Sequence, residues 1–121
     1  MNKNDLGRFG ESIAEKYFKQ KGYYLLAKNF KWLRGEIDLV FMPGKSSNKI
    51  IFVEVKLRTD NIFGEAEEGF SYQKNMKLKI SMIKFMKIIF ADTQPDFQLD
   101  FLAIRFDAAN RKAHVRHFKN I

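Results

Sequence analysis

The sequence predicts one α/β or α+β domain over residues 1–121, and three observations point there. The chain has 121 residues, 45% of them hydrophobic, with thirteen Phe and one Trp as bulky anchors for a single core. Apolar spacing switches between helical and strand periods in the order helix, strands, helix, strands. No internal repeat or composition break divides the chain.

Each element follows from its residues. Residues 4–20 suit an amphipathic helix, with Leu6, Phe9, Ile13 and Tyr17 at helical spacing and Gly22 as its stop. Gly7 and Gly10 are poor helix formers, so either another segment or a ligand approaches them closely or the first turn frays. Tyr23–Ala27 reads as a short strand leading to a turn at Asn29. From Gly35 to Met42, alternation puts Glu36, Asp38 and Val40 on one face and Ile37, Leu39 and Phe41 on the other. The P-G-K-S-S-N-K loop at 43–49 joins this strand to Ile50–Leu57, predicting an antiparallel hairpin. Residues 59–70, with Gly64, Gly69 and three Glu, read as a polar connection and the one place for a mobile lid.

Ser71 is placed to cap a helix running to about Phe90, its buried stripe formed by Leu78, Met82, Phe85, Met86 and Ile89. Lys74, Lys77, Lys84 and Lys87 fall on the wetter side. Residues 97–106 and 112–118 complete the strands, with a turn around Asn110.

Composition narrows the chemistry. The absence of Cys excludes disulfides, thiolate metal sites and cysteine nucleophiles. No apolar run approaches the roughly 18–20 residues that span a bilayer, and the first residues lack the apolar core of a secretion signal, so a cytoplasmic protein is expected. A net charge of +8 suits a polyanionic partner, although ordinary solubility accounts for it too.

The oily run I-I-F-V-E-V-K-L-R at 50–58 places Glu54 and Lys56 two apart, on one face of a strand. Buried charges need a partner or a metal. Asp38 lies on the neighbouring candidate strand, and if it points the same way the two carboxylates can converge on one Mg²⁺ completed by a backbone carbonyl and waters. Such an ion polarises a phosphate and acidifies a bound water, while the lysine positions the water, takes its proton or stabilises developing charge. The plain alternative is a Glu54–Lys56 pair on a half-solvated sheet face, since spacing does not fix strand register.

The ordered pattern G-R-F-G-E-S-I-A at 7–14, G-Y at 22–23, N-F at 29–30, R-G-E-I-D-L-V at 34–40, F-V-E-V-K-L-R at 52–58, F-G at 63–64 and Lys74 resembles the bacterial YraN family across nearly the whole chain. That resemblance implies a restriction-endonuclease-like α/β fold, a central mixed sheet flanked by helices, akin to archaeal Holliday-junction resolvases. It makes Asp38 and Glu54 the metal-binding carboxylates for Mg²⁺ or Mn²⁺, Lys56 the catalytic lysine, and Glu11 a helix-borne acid approaching the same site. Glu36 and Arg58 match the pattern without an assigned catalytic role. Q-L-D-F-L at 98–102 begins with Gln98 where the family usually has arginine, a departure that weakens any phosphate contact there, while Asp100 still matches the pattern. The expected activity is hydrolysis of phosphodiesters in DNA, including branched or recombination intermediates, with a homodimer by analogy to a symmetric junction. The alternatives are a non-catalytic nucleic-acid-binding protein and a protein-interaction module.

On its own spacing, Glu11 sits at the edge of an apolar stripe and either aims inward or pairs with Arg8 or Lys16. Arg34, Arg58, Lys74 and Lys77 are the candidate nucleic-acid contacts, the lysines forming a basic helix edge that would track phosphates or simply face solvent. Trp32 beside Arg34 either fills the core or stacks on an unpaired base, whereas Phe30 belongs to the core. His114 and His117, three apart, fall on opposite strand faces and share no metal. The P-G-K-S-S loop lacks the glycine spacing of a phosphate loop.

Overall fold

The computed structural model describes residues 2–59, 72–93 and 95–121, the side chains of residues 3 and 72–74 excepted. The expected polar connection at 59–70, its Phe63 and Gly64, and the Ser71 cap therefore lie, apart from Thr59, outside the described residues. The elements are α1 (Lys3–Gln20), β1 (Tyr24–Trp32), β2 (Gly35–Met42), β3 (Lys49–Arg58), α2 (Tyr72–Phe90), β4 (Asp96–Asp107) and β5 (Lys112–Phe118). The strands form one five-stranded sheet in the order β1-β2-β3-β4-β5. Only β3 and β4 run parallel, and α2 lies between them in sequence; the other neighbours are antiparallel. A mixed sheet flanked by two helices among the described residues is the restriction-endonuclease-like α/β arrangement.

Strand alternation divides the core between the two faces. On one, Ala14 and Phe18 of α1 meet Leu39, Phe41, Ile51, Val53, Leu102 and Ile104. On the other, Leu78, Met82, Phe85 and Met86 of α2 meet Ile37, Val40, Ile50, Phe52 and Leu99. Phe30 packs on this second cluster, its ring edge-on to Phe85 at 5.1 Å. Each fully buried Phe contributes about 2 kcal/mol relative to exposure.

Several expectations shift by a position or two. The α1 stripe centres on Gly10, Ala14 and Phe18, leaving Leu6, Phe9, Ile13 and Tyr17 as half-buried shoulders. At Gly10 a Cβ would lie 3.1 Å from the Leu57 Cβ, so the sheet does approach closely there; Gly7 meets nothing within 4 Å. Asn2 caps α1 by accepting the Asp5 N–H, and Gly22 (φ 88) closes its C-terminal end. Strand β1 passes through Asn29 instead of turning there, absorbing its left-handed backbone (φ 52) as a local kink. On α2, Ile89 is exposed, outside the predicted stripe, while Lys84 is half-buried against Trp32.

Candidate active site

The site arises where β2 leaves β3. Their ladder pairs Phe41 with Ile51, Val40 with Phe52 and Leu39 with Val53, and ends there. At the next position the Asp38 carboxylate takes the place of a backbone partner, accepting the Val55 N–H at 2.8 Å. The strand also changes face at Asp38. Ile37 joins Val40 on the α2 side and Leu39 joins Phe41 on the α1 side, which corrects the simple alternation expected for this strand. Asn29 lies opposite this break, between the pairs Lys28–Leu39 and Phe30–Ile37. Period-two reasoning assumes an unbroken pleat, and the kink at Asn29 and Asp38 breaks it.

Strand β3 remains regular. Phe52 faces α2 while Val53, Val55 and Leu57 face α1, so Glu54 and Lys56 share the α2 face. Glu54 is buried, 6% exposed. Asp38 and Glu54 border one cavity of about 230 Å³, together with Arg34, Gly35, Glu36, Lys77 and Leu78. Lys56 is half-buried and follows Glu54 on the same face, outside this lining.

Gly35 lets α2 form the cavity wall: a Cβ there would lie 2.1 Å from Ser81 Oγ and 2.7 Å from the Lys77 carbonyl oxygen. That contact brings Lys77 to the carboxylates. Gly35 was legible as part of R-G-E-I-D-L-V, but its steric reason was not, because it depends on a helix forty residues away in sequence.

Burial, then the Glu54 charge, pushes the Asp38 carboxyl up to about 8; the Val55 N–H acts in the opposite direction, and Glu11 and Glu36 add smaller repulsions. Glu11, half-buried on α1, is also raised, chiefly by burial, with Asn29 offsetting part and Glu36 adding to it. Four acidic side chains thus feel one another at this end of the sheet. Among the described residues no group of three or more His, Cys, Asp or Glu forms a ready-made metal centre. Two carboxylates bordering one cavity, one of them held protonated chiefly by burial and then by the other's charge, are the groups that could hold a divalent ion such as Mg²⁺ or Mn²⁺, ions that commonly keep several water ligands.

The remaining predicted residues divide. Arg34 and Lys77 line the cavity. Arg58 ends β3 beside Arg105 of β4, with its guanidinium at 3.5 Å from the Leu57 carbonyl oxygen and away from this lining. The Lys74 side chain lies outside the described ones. Gln98 donates to Asp100 at 2.7 Å, an internal contact in place of a phosphate contact.

A second polar cluster joins Asp100 and His117, which the sequence did not bring together. Asp100, fully buried, takes hydrogen bonds from Gln98, from the Asn120 N–H at 2.9 Å and, at 2.7 Å, from His117 Nε2. His117 Nδ1 faces the Tyr17 hydroxyl of α1 at 3.1 Å. Burial raises the Asp100 carboxyl, but the bonds from His117, Asn120 and Gln98 outweigh it and leave its pKa below the ordinary range. An acid in the middle of F-Q-L-D-F-L-A was the available signal. His114 is exposed on the opposite face from His117, as their spacing implied.

Comparison with known proteins identifies the family. The chain is 41% identical over 100 residues to a UPF0102 protein of Caldanaerobacter subterraneus subsp. tengcongensis, covering 82% of this chain and 80% of that one. A UPF0102 protein of Clostridium botulinum (strain Loch Maree / Type A3) is 34% identical over 117 residues, covering 96% and 92%. One from Carboxydothermus hydrogenoformans is 32% identical over 122 residues, covering 100% and 98%. The model of "Uncharacterised protein family UPF0102" matches residues 10–110, a span holding Glu11, Asp38, Glu54 and Lys56, and the chain belongs to that YraN-like family.

Proposed function

We propose that this protein is a divalent-metal-dependent nuclease hydrolysing phosphodiester bonds in DNA, branched or recombination intermediates included. The observation that carries the reading is the meeting of Asp38 and Glu54, from neighbouring strands, on one cavity that Arg34 and Lys77 also border. Asp38 and Glu54 would hold Mg²⁺ or Mn²⁺, which when bound supplies Lewis acidity toward the phosphate and a more acidic water. The protein's own groups do the rest. The Val55 N–H fixes the Asp38 carboxylate, so its free oxygen is oriented before any ligand arrives. Arg34 and Lys77 bring positive charge to the cavity rim, where a phosphate would be drawn in and oriented. Lys56, on the Glu54 face of β3, positions the attacking water or stabilises charge developing on the phosphate. Glu11 approaches from α1 as an additional acid, and Arg58 would extend the contact to flanking phosphates.

The deciding experiment is cleavage of duplex, flap and four-way-junction DNA with Mg²⁺, Mn²⁺ or chelator. Cleavage is expected only with metal, and Asp38→Asn, Glu54→Gln or Lys56→Ala should each lower it at least about a hundredfold, within the span usual for a positioned catalytic group. Wild-type cleavage matched by all three folded variants would refute the assignment. DNA binding without cleavage under every metal condition would favour a non-catalytic binding protein.

A further inference from the structure

The tip of the β1–β2 hairpin carries a feature that metal-site chemistry does not use. Trp32 pairs with Gly35, and Leu33 and Arg34 make the turn between them. Leu33 is left-handed (φ 55) at the first turn position, where glycine is the ordinary choice, and it is 86% exposed. A strained backbone presenting a bare Leu to solvent contributes nothing to the core. Beneath it lies an apolar hollow of about 340 Å³, lined by Trp32, Leu33, Arg34, Gly35, Lys77 and Ile80. Ile80 is 52% exposed. Trp32 is half-buried, with the Lys84 ammonium 4.4 Å from its ring centroid.

This hollow shares Arg34, Gly35 and Lys77 with the cavity of Asp38 and Glu54, so the two are adjoining chambers. Neither Arg34 nor Lys77 forms an ion pair with a carboxylate among the described residues. An apolar chamber with an aromatic wall and cations at its rim, next to a carboxylate pocket, matches a nucleotide in which a flat apolar base is joined to an anionic phosphate. We propose that the hollow holds an unpaired nucleobase of a single-stranded stretch of DNA whose backbone phosphate lies at the Asp38–Glu54 cavity, with Leu33 as the wedge that keeps the base unstacked. The proposal rests on the nuclease reading for the position of the phosphate and adds the substrate class: DNA with unpaired bases beside the scissile bond. A base inside a duplex stack could not enter the chamber without being extruded.

Trp32 is the only Trp of the chain, so its fluorescence reports on the hollow directly. The test titrates the full chain, in chelator and low salt, with an oligothymidylate, an abasic oligomer of equal length and charge, and a blunt duplex. The base-bearing single strand should quench Trp32 and bind about tenfold more tightly than the abasic one, the loss expected for one stacked base. Leu33→Ser and Ile80→Gln keep the net charge and alter exposed positions; each should remove that difference while leaving affinity for the abasic oligomer and the melting temperature unchanged. Equal quenching and affinity for the base-bearing and abasic strands, or unaltered discrimination in both variants, overturns the base pocket. So does a dimer that Ile80→Gln dissociates with DNA affinity unchanged, since the hollow would then serve a second copy. Chelator separates the two readings: discrimination with no cleavage of any DNA when metal is restored refutes the nuclease alone, and cleavage with no discrimination refutes the pocket alone.

Discussion

Between its ordinary value near 3.8 and the raised value of about 8, the Asp38 carboxyl is protonated in the folded chain and ionised in the unfolded one. The native state therefore binds more protons in that window, and this group's contribution to stability declines as pH rises from about 4 to about 8. Asp38→Asn keeps an oxygen for the Val55 N–H but cannot ionise. It should be more stable than wild type at pH 8 by at least about 1 kcal/mol, roughly 4 °C in melting temperature, with the gain shrinking toward pH 5. Mg²⁺ at pH 8 should raise the melting temperature of wild type and not of the variant, because a cation favours the ionised form that burial opposes. Thermal melts across pH with and without metal check both, and a variant melting below wild type at pH 8 would contradict the strained carboxylate. Asp100 has the opposite sign. Its lowered pKa means that its stabilisation is full above the ordinary carboxylate range and is lost as pH falls through the lowered value. Asp100→Ala removes the acceptor for His117, Gln98 and the Asn120 N–H at once and should cost about 3 kcal/mol in urea unfolding at neutral pH, against little change for the exposed Asp92→Ala.

The elements differ in how far their sequences announce them. Both helices and β2 to β5 follow from hydrophobic period and turn residues, and Glu54 and Lys56 share a face because β3 is a regular strand. What period alone could not give lies at the irregularities. Asn29 read as a turn because its side chain favours left-handed backbone, yet cross-strand pairing on both sides carries β1 through it. Ile37 changed face because β2 kinks at Asp38, and that kink is also what aims the carboxylate at Val55. The Asp100–His117–Tyr17 cluster joins residues far apart in sequence, so no local pattern encodes it. Gly35 belongs to the same class, since its role is set by α2. Gly35→Ala would drive a methyl into Ser81 Oγ and the Lys77 carbonyl, forcing α2 outward. A loss of about 2 kcal/mol in stability is expected, with DNA affinity falling as Lys77 is displaced. Gly35→Ala combined with Ser81→Gly, which clears the nearer obstacle, should recover part of both. Failure of the second change to rescue either property would show that the tight approach is not what Gly35 provides.

At the scale of the whole molecule, a net charge of +8 surrounds a small cluster of acids, and the two have opposite effects on a nucleic acid. On the proposed reading Arg34 and Lys77 would attract phosphate to the cavity they line, whereas Asp38 and Glu54 would repel it unless a cation or protons neutralise them. DNA affinity should therefore fall steeply with salt, and if three to four cations contact phosphate the slope of log affinity against log salt is about −3. The acids set a sign that distinguishes this arrangement from a merely basic surface. In chelator at pH 8, Asp38→Asn with Glu54→Gln should bind DNA about tenfold more tightly than wild type, since it removes negative charge from the phosphate's path, and the salt slope should stay nearly constant because no phosphate contact is gained or lost. Adding Mg²⁺ should narrow the gap by tightening wild type alone. Fluorescence anisotropy over a salt series, with and without metal, measures all of these terms. If the doubly neutralised protein bound no better than wild type in chelator, the phosphate would lie elsewhere on the basic surface, and the cavity of Asp38 and Glu54 would not be where DNA is held.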